Sequence, residues 1–148
     1  MYLRLLVFGR GFFIWVLAQV RSIALDELIE RALAKDHVVD ITTIGRKTKK
    51  QRRIEIWFHN VDGRIFISGL PGRRSWYANL LANPKFTFHL KRSVKADLPA
   101  TAKPIVDGTV RREIISKILG EEGSRKDLEA WMKGSPLVEV KFESSEKP

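Results

Sequence analysis

Alternation of apolar and polar side chains recurs along the chain and predicts a β-rich fold. It is clearest in residues 54–59 and 85–91, where every second side chain is apolar. This period of two is typical of a strand that buries one face against a core. Together with a β-branched run and three weaker segments, the pattern predicts six strands, at 38–44, 54–59, 64–69, 85–91, 100–106 and 137–142.

Four other segments have apolar residues at the three- and four-residue spacing of a helix. They lie at 26–35, 76–82, 110–119 and 126–133. Acidic residues in the first turn support the first of these helices. Ser75 is expected to cap the second helix, and Asn83-Pro84 to end it, because the residue before a proline disfavours helical geometry.

The order of these elements favours an antiparallel fold. Asn60 to Gly63 form a turn signal between two strands, so residues 54–69 are predicted to be a hairpin. Strands and helices do not alternate as they would in a parallel sheet. We therefore expect a mainly β fold with peripheral helices (α+β). It would be a six-stranded antiparallel barrel in one domain, 26–143, followed by a polar tail at 144–148.

The first 25 residues differ from the rest of the chain. Their apolar runs, 5–8 and 12–18, are interrupted by a charged Gly-Arg-Gly, so the stretch is too short and too polar for an ordinary membrane span. Arginines on one side, with Trp15 and three phenylalanines on the other, fit an interfacial helix that contacts a membrane through residues 1–24. A helix covering the sheet and an extension from a misplaced start codon are the alternatives.

Composition limits the possible chemistry. The chain has 148 residues, enough to bury a core, and a formal net charge of +10. That charge indicates an anionic partner: nucleic acid, an acidic membrane or a polyanionic small molecule. The sequence contains no cysteine, which excludes disulfides, thiolate metal sites and cysteine nucleophiles, and which is consistent with a cytoplasmic protein.

Much of the charge is concentrated in the loop 45–53, GRKTKKQRR. Six of its nine residues are cationic, and the loop lies between two predicted strands. Like charges this close repel one another unless an anion lies among them. Gly45 can form a turn and Thr48 can donate a hydroxyl hydrogen bond, and both features suit phosphate oxygens. The loop is predicted to bind an anion; a solvated basic hairpin without a partner is the alternative.

Several familiar catalytic patterns are missing from the sequence. It contains no P-loop and no glycine-rich dinucleotide fingerprint. Its three histidines have no partner at metal-ligand spacing, so no metal site is predicted. Glu55 follows the basic loop closely, and we interpret it as an ion partner of Arg53 or Arg64 rather than as a general base.

A second loop, 69–74, adds two glycines and two arginines. Trp57, Phe66 and Trp76 lie close to the two loops in sequence. Cationic and backbone donors next to aromatic rings suit a flat, phosphorylated cofactor. A nucleic-acid surface would instead interleave aromatic rings with the charges on an exposed face, so the pattern favours a pocket.

Two motifs in this region resemble those of a known family. Residues 41–48, ITTIGRKT, followed by Arg52-Arg53, resemble the hallmark of the deazaflavin-dependent nitroreductase and quinone reductase family. Residues 76–84, WYANLLANP, resemble its second signature, W-x-x-N-L-x-A-N-P. The resemblance extends over about residues 38–106, with weaker support from 111 to 142, and does not include residues 1–25.

The family implies a split β-barrel like that of pyridoxamine-phosphate oxidases and flavin reductases. It also implies binding of the deazaflavin coenzyme F420, with FMN as the alternative cofactor. The phosphate and acidic tail of F420 are then expected on Arg46, Lys47, Thr48, Lys50, Arg52 and Arg53. The ring is expected against the backbone of Ser68, Gly69, Leu70, Pro71 and Gly72. Trp76 and Asn79 would brace that second loop from the following helix, although Trp76 is equally compatible with a core position.

The chain departs from the family pattern at the basic loop and at the acceptor side. Lys49 stands where the family usually has glycine, and Gln51 where it often has proline. If position 49 needs a positive φ, lysine there is strained by about 1–2 kcal/mol. The tyrosine-rich acceptor wall of some members has no counterpart, since the only tyrosines are Tyr2 and Tyr77.

The resemblance implies an oxidoreductase that transfers a hydride from reduced F420 to an electron-poor organic acceptor: a quinone, an activated alkene or a nitro compound. Tyr77 and His59 are candidate proton donors, and Trp57, His59 and Trp131 are candidates for the acceptor side. One alternative is a carrier of deazaflavin, flavin or haem with the same fold. Another is a basic protein that binds an acidic membrane or, less favoured, nucleic acid. Either a monomer or a homodimer is expected.

Overall fold

Six strands and four helices make up the part of the chain that the structure describes. The computed structural model describes residues 10–121 and 123–144, without the side chains of residues 12 and 13. In chain order the elements are α1 (Arg10–Lys35), β1 (Val38–Ile44), β2 (Gln51–Val61), β3 (Arg64–Ser68), α2 (Ser75–Ala82), β4 (Lys85–Leu90), β5 (Ala96–Pro104), α3 (Gly108–Leu119), α4 (Arg125–Gly134) and β6 (Leu137–Phe142). The apolar run predicted at 5–8 and residues 145–148 of the predicted tail lie outside the described residues.

The six strands close into one antiparallel barrel. Their order around the barrel is β1-β2-β3-β6-β5-β4, and each strand pairs with two antiparallel neighbours. Strands β1, β2 and β3 follow one another, as do β4 and β5, and β6 closes the barrel between β3 and β5. The predicted α+β class and six-stranded antiparallel barrel are confirmed.

Apolar side chains from all six strands fill the barrel. Ile41, Phe58 and Phe88 have no exposed surface. The rings of Phe58 and Phe88 meet edge to face at 5.4 Å, and Phe142 meets Phe88 in the same way at 5.3 Å. The period of two in the sequence therefore reflects the face of each strand that points into the barrel. Strands β3 and β6 bury their other face as well.

The turn between β2 and β3 has the predicted hairpin geometry. Asp62 and Gly63 have positive φ angles of 53° and 83°, as in the two-residue turns that match the twist of paired strands. The side-chain oxygen of Asn60 accepts a hydrogen bond from the backbone N–H of Gly63 at 2.9 Å. The hairpin prediction is confirmed.

Two strands begin earlier than predicted. β5 covers Ala96–Pro104 rather than 100–106, because its first residues pair with the end of β4 before the polar loop is complete. β2 begins at Gln51, so the last two arginines of the predicted basic loop belong to the strand. The basic segment is therefore partly a rigid, paired backbone.

All four helices begin earlier than predicted, α2, α3 and α4 by only one or two residues. Ser75 is the first residue of α2 and has no capping role, since a capping residue must have extended geometry and that position belongs to Arg74. The prediction of Ser75 as the cap is therefore wrong. α1 begins at Arg10 rather than at residue 26 and runs without a break to Lys35.

The first half of α1 presents apolar side chains to the exterior. No helix among the described residues is long and apolar enough to cross a membrane. The last turns of α1 pack on the barrel core. Nearer the start of the helix, five apolar side chains are each more than half exposed: Ile14, Trp15, Leu17, Val20 and Ile23. The membrane contact predicted for residues 1–24 stays a prediction.

Glu55 has a different ion partner from the one predicted. It faces Asp40 across the β1–β2 pair, and Lys91 bridges both carboxylates, with its Nζ 2.6 Å from Asp40 Oδ1. Arg53 pairs with Asp40 at 3.0 Å, and Arg64 pairs with a carboxylate on β6. The prediction that Glu55 pairs with Arg53 or Arg64 is wrong, because the opposing carboxylates draw a lysine between them.

The carboxylate on β6 belongs to Glu139, which is buried. It accepts hydrogen bonds from Arg64 Nε at 2.9 Å and Nη2 at 2.8 Å, and from Lys141 Nζ at 2.9 Å. The Arg64 hydrogen bonds, supported by Lys141, lower the pKa of Glu139 to about 2. This fork holds β3 to β6 on the outside of the barrel.

A second apolar cluster lies between the barrel and the helices α3 and α4. Phe66, Ile115 and Leu137 are its fully buried members. The cluster holds the end of α4 next to the loop 69–74, where the backbone N–H of Gly72 donates to the carbonyl of Gly134 at 3.0 Å.

Candidate functional site

The basic loop between β1 and β2 is a closed turn. Ile44 and Gln51 are the last residue pair of the two strands. Beyond them, the N–H of Gly45 donates to the carbonyl of Lys50 at 2.8 Å, and the N–H of Lys49 donates to the carbonyl of Gly45 at 2.9 Å. Lys49 has a φ of 57°. The position where the family usually has glycine therefore does require a left-handed backbone, and lysine there is strained.

Thr48 lies directly over Gly45. A Cβ atom at position 45 would lie 2.4 Å from Thr48 Oγ1, far inside van der Waals contact. The Thr48 hydroxyl accepts a hydrogen bond from the N–H of Lys50 at 3.3 Å, which leaves its own proton free to donate. Glycine at position 45 thus allows the hydroxyl to fold into the turn.

Asn79 of α2 anchors the basic loop to the rest of the domain. Its side chain is buried, and its Oδ1 accepts a hydrogen bond from the backbone N–H of Arg46 at 3.0 Å. Its Nδ2 donates to Thr43 Oγ1 at 3.4 Å. The prediction that Asn79 braces the loop 69–74 is wrong, because its amide joins the second sequence motif to the first.

A cleft of about 440 Å³ lies between the basic loop and the start of α2. Its lining includes six residues predicted to bind the cofactor: Arg46, Lys47, Thr48, Arg52, Trp76 and Asn79. Lys50 and Arg53, predicted with them, do not line it. The lining is completed by four residues not predicted as ligands: Thr43, Gly45, Ile54 and Ser75. The first two belong to the first motif and could have been inferred from it.

The cations that line this cleft lack acidic partners. Arg46, Lys47 and Arg52 make no ion pair with any described residue. Arg53 differs, because it pairs with Asp40 on the neighbouring strand. None of the aspartates and glutamates that the structure describes lines the cleft. Unpaired cations on a concave surface concentrate positive potential there, so the cleft is suited to an anion.

The loop after β3 lies beside this cleft rather than in it. Ser68 is buried, and its hydroxyl donates to a backbone carbonyl of the segment 134–136 at 2.7 Å. Gly72 lines a neighbouring cleft, and the side chain of Leu70 is 66% exposed. The backbone contacts expected between residues 68–72 and a cofactor ring stay a prediction.

Tyr77 is the one predicted proton donor that the described structure brings close to the cleft. It follows Trp76, and their rings meet edge to face at 5.9 Å. Trp76 is both part of the barrel core and part of the cleft lining. Tyr77 lines the neighbouring cleft together with Gly72.

The other acceptor-side candidates lie elsewhere. Trp57 is 62% exposed on β2, and Trp131 packs on the second apolar cluster. His59 is half-buried, and burial, with a smaller contribution from repulsion by His37, lowers the pKa of His59 below its ordinary value. Neither of these two clefts is lined by Trp57, His59 or Trp131.

The groups around the first cleft fit the phosphate and acidic tail of a deazaflavin cofactor. Cationic side chains and the Thr48 hydroxyl supply donors, and charge-assisted hydrogen bonds to phosphate are stronger than neutral ones. Trp76 and Ile54 add an apolar wall. The anchored turn fixes the donors before any ligand binds, which reduces the entropy lost on binding.

Comparison with known proteins points the same way. Residues 19–142 match the sequence model of the F420H(2)-dependent quinone reductase family. Among solved structures, the chain resembles an F420-H2-dependent reductase at 22% identity and a TM-score of 0.50, over 72% of this chain and 95% of that one. It resembles an F420 reductase at 14% identity and a TM-score of 0.57, over 78% of this chain and 93% of that one. A candidate pyridoxamine 5'-phosphate oxidase from Listeria innocua shares 11% identity at a TM-score of 0.62, over 81% and 94%; the solved structures show the common fold.

Proposed function

The chain belongs to the F420H(2)-dependent quinone reductase family, and on that premise we propose that it transfers a hydride from reduced F420 to an electron-poor organic acceptor. Membership makes the protein an oxidoreductase with F420 as its cofactor. The acceptor is the proposed part: a quinone, an activated alkene or a nitro compound. The observation that carries the proposal is the anchored basic cleft, whose cations have no acidic partner among the described residues.

We assign the cofactor's phosphate to this cleft. Arg46, Lys47 and Arg52 supply the charge, and Thr48 supplies a hydroxyl proton. Lys50, at the end of the loop, and Arg53, on β2, would meet the acidic tail. In the same proposal, the backbone of residues 68–72 borders the ring.

Little acid–base chemistry is required of the protein. When bound, F420 supplies the hydride, so the side chains have to bind, orient and shield the reacting partners. Asn79 contributes by fixing the start of the basic loop. Trp76 and Ile54 exclude water from one wall of the cleft.

Tyr77 is the better of the two candidate proton donors. Its hydroxyl makes no hydrogen bond with a described residue, and it lines the cleft beside the first one. His59 is less suited, because its lowered pKa leaves the imidazole neutral near pH 7. Solvent is a further source of the proton.

Anaerobic turnover tests the proposal. The purified protein is mixed with reduced F420 and, in separate reactions, with menadione, 2-cyclohexenone or nitrobenzene, and oxidised deazaflavin is followed by its absorbance. We expect oxidation that depends on both protein and acceptor, for at least one acceptor class. The matched control is the double variant Arg46→Ala/Lys47→Ala, which should lose the acceleration.

Other outcomes point to other functions. Tight binding of reduced F420 with no acceleration by any acceptor class would indicate a carrier. Acceleration with reduced FMN but not with reduced F420 would reassign the cofactor. Binding to duplex DNA or acidic vesicles that falls steeply with salt, without binding to F420, would indicate a basic surface protein.

A further inference from the structure

A second cleft, of about 560 Å³, lies between the loop 69–74 and the end of α4. A smaller depression of about 340 Å³ adjoins both clefts. It shares Arg46 and Ser75 with the first cleft, and Arg73 and Tyr77 with the second. The two clefts are therefore neighbouring parts of one surface, and a ligand in the second lies close to the proposed cofactor site.

The second cleft is basic. Arg73 and Lys133 are exposed on its lining and make no ion pair with a described residue. Arg111 is committed to structure, because its guanidinium donates to the carbonyls of Ile105 at 3.0 Å and Ser135 at 2.9 Å. The described part of the chain places no aspartate or glutamate on this lining. Arg74, the fourth cation of the lining, donates to the carbonyls of Arg73 at 3.2 Å and Leu70 at 3.1 Å. Of the four cations, Arg73 and Lys133 therefore remain to meet an anionic group.

The rest of the lining is largely apolar, with one polar group that lacks a partner. Ile105, Met132 and Pro136 form apolar surface. Ser135 lies among them; its side chain is buried, and its hydroxyl has no hydrogen-bond partner among the described residues. The Ser135 oxygen itself has almost no exposed surface, so it lies behind the wall of the cleft. The wall that a ligand meets between the cations is therefore apolar.

We propose that the second cleft binds the electron acceptor and that this acceptor is a flat apolar molecule bearing one carboxylate. The carboxylate lies between Arg73 and Lys133, and the apolar body lies along Ile105 and Met132. The inference rests on the proposed function, for which it specifies the acceptor class. The cofactor's acidic tail has the same carboxylate chemistry, but the apolar wall favours an amphipathic ligand.

A binding experiment with a redox-inert probe tests this without turnover. Titration calorimetry of the full chain with 2-naphthoate is compared with titration of its uncharged methyl ester. We expect the carboxylate to bind at least about tenfold more tightly, with an affinity that falls as salt rises. Arg73→Gln and Lys133→Gln should each weaken naphthoate binding about threefold, whereas Lys95→Gln, an exposed lysine away from the clefts, should not.

Saturating F420 should not weaken naphthoate binding, because the two ligands occupy neighbouring sites. Competitive displacement of naphthoate by F420 would contradict the proposal and assign the second cleft to the cofactor's tail. Equal affinity for the acid and the ester would also contradict it. If the protein oxidised reduced F420 with none of the acceptors but bound naphthoate as described, the proposed function would be contradicted and the carboxylate site in the second cleft would stand.

Discussion

The side-chain oxygen of Asn79 accepts a hydrogen bond from the backbone N–H of Arg46 at 3.0 Å, so a helix residue holds the start of the basic loop in place. Asn79→Ala should therefore weaken F420 binding about tenfold while leaving every cation in place. It should also lower the free energy of unfolding by about 1–3 kcal/mol, because a buried hydrogen bond is lost. Fluorescence titration and urea denaturation measure the two effects.

The control for this variant is Asn83→Ala, since the Asn83 side chain makes no hydrogen bond with a described residue. If Asn79→Ala bound F420 as tightly as the native chain, the basic loop would not need its anchor.

The Gly45 turn gives a second prediction. Gly45→Ala should lower the free energy of unfolding by about 1–3 kcal/mol, because the added methyl would lie 2.4 Å from Thr48 Oγ1. Adding Thr48→Ala should recover part of that loss, since the conflicting atom is removed. Urea denaturation of the two single variants and the double variant measures the coupling.

Gly108→Ala is the matched control, because a Cβ there has no heavy atom within 4 Å. Additive effects of the Gly45 and Thr48 substitutions would show that the close approach does not determine the turn.

Features that depend on a few neighbouring residues could be predicted from the sequence. The strands follow from alternation and β-branched residues within short segments, and the β2–β3 hairpin follows from Asp62-Gly63, whose positive φ angles need only local sequence. The basic cleft was anticipated in the same way, because most of its cations lie within one loop. The left-handed backbone of Lys49 was suggested by a single departure from a motif.

Pairings between distant segments could not be predicted. Asn79 lies 33 residues from Arg46, and its role depends on how α2 packs on the barrel. The partner of Glu55, Lys91, is 36 residues away and is chosen by the register of three strands. The second cleft is likewise assembled by the packing of α4 against the loop 69–74, which no local pattern encodes.

The strained backbone at Lys49 gives a third prediction. Lys49→Gly should raise the free energy of unfolding by about 0.5–1 kcal/mol, because glycine adopts a φ of 57° without a Cβ conflict. Lys47→Gly should lower the free energy of unfolding, since the backbone of Lys47 is not in the left-handed region. Urea denaturation of both variants tests this, and destabilisation by both would show that position 49 is not strained.

The ion pair between half-exposed Arg64 and buried Glu139 predicts acid sensitivity. A carboxyl whose folded-state pKa lies below its unfolded value stabilises the fold above the unfolded value and loses that contribution as the pH falls. The pKa of Glu139 falls from 4.5 to about 2 on folding, so the free energy of unfolding should decline between about pH 4.5 and pH 2.

Glu139→Gln should make that decline shallower without removing it, because the pKa of Asp40 is also lowered, chiefly by its hydrogen bond with Lys91. Glu143→Gln, at an exposed position after β6, is the control. If the free energy of unfolding fell with pH as steeply in Glu139→Gln as in the native chain, the Arg64–Glu139 pair would not contribute to the pH dependence of stability. Denaturation at a series of pH values measures it.

The most direct test of the account is a fluorescence titration of the protein with F420 and with FMN, at low and at high salt. We predict tighter binding of F420, weakening as salt screens the cations, and at least about tenfold weaker binding by Arg46→Ala/Lys47→Ala. Lys95→Ala should bind like the native chain. Equal affinity for both cofactors, or F420 binding that survives the double substitution, would contradict the assignment of the cleft to the anionic part of the cofactor.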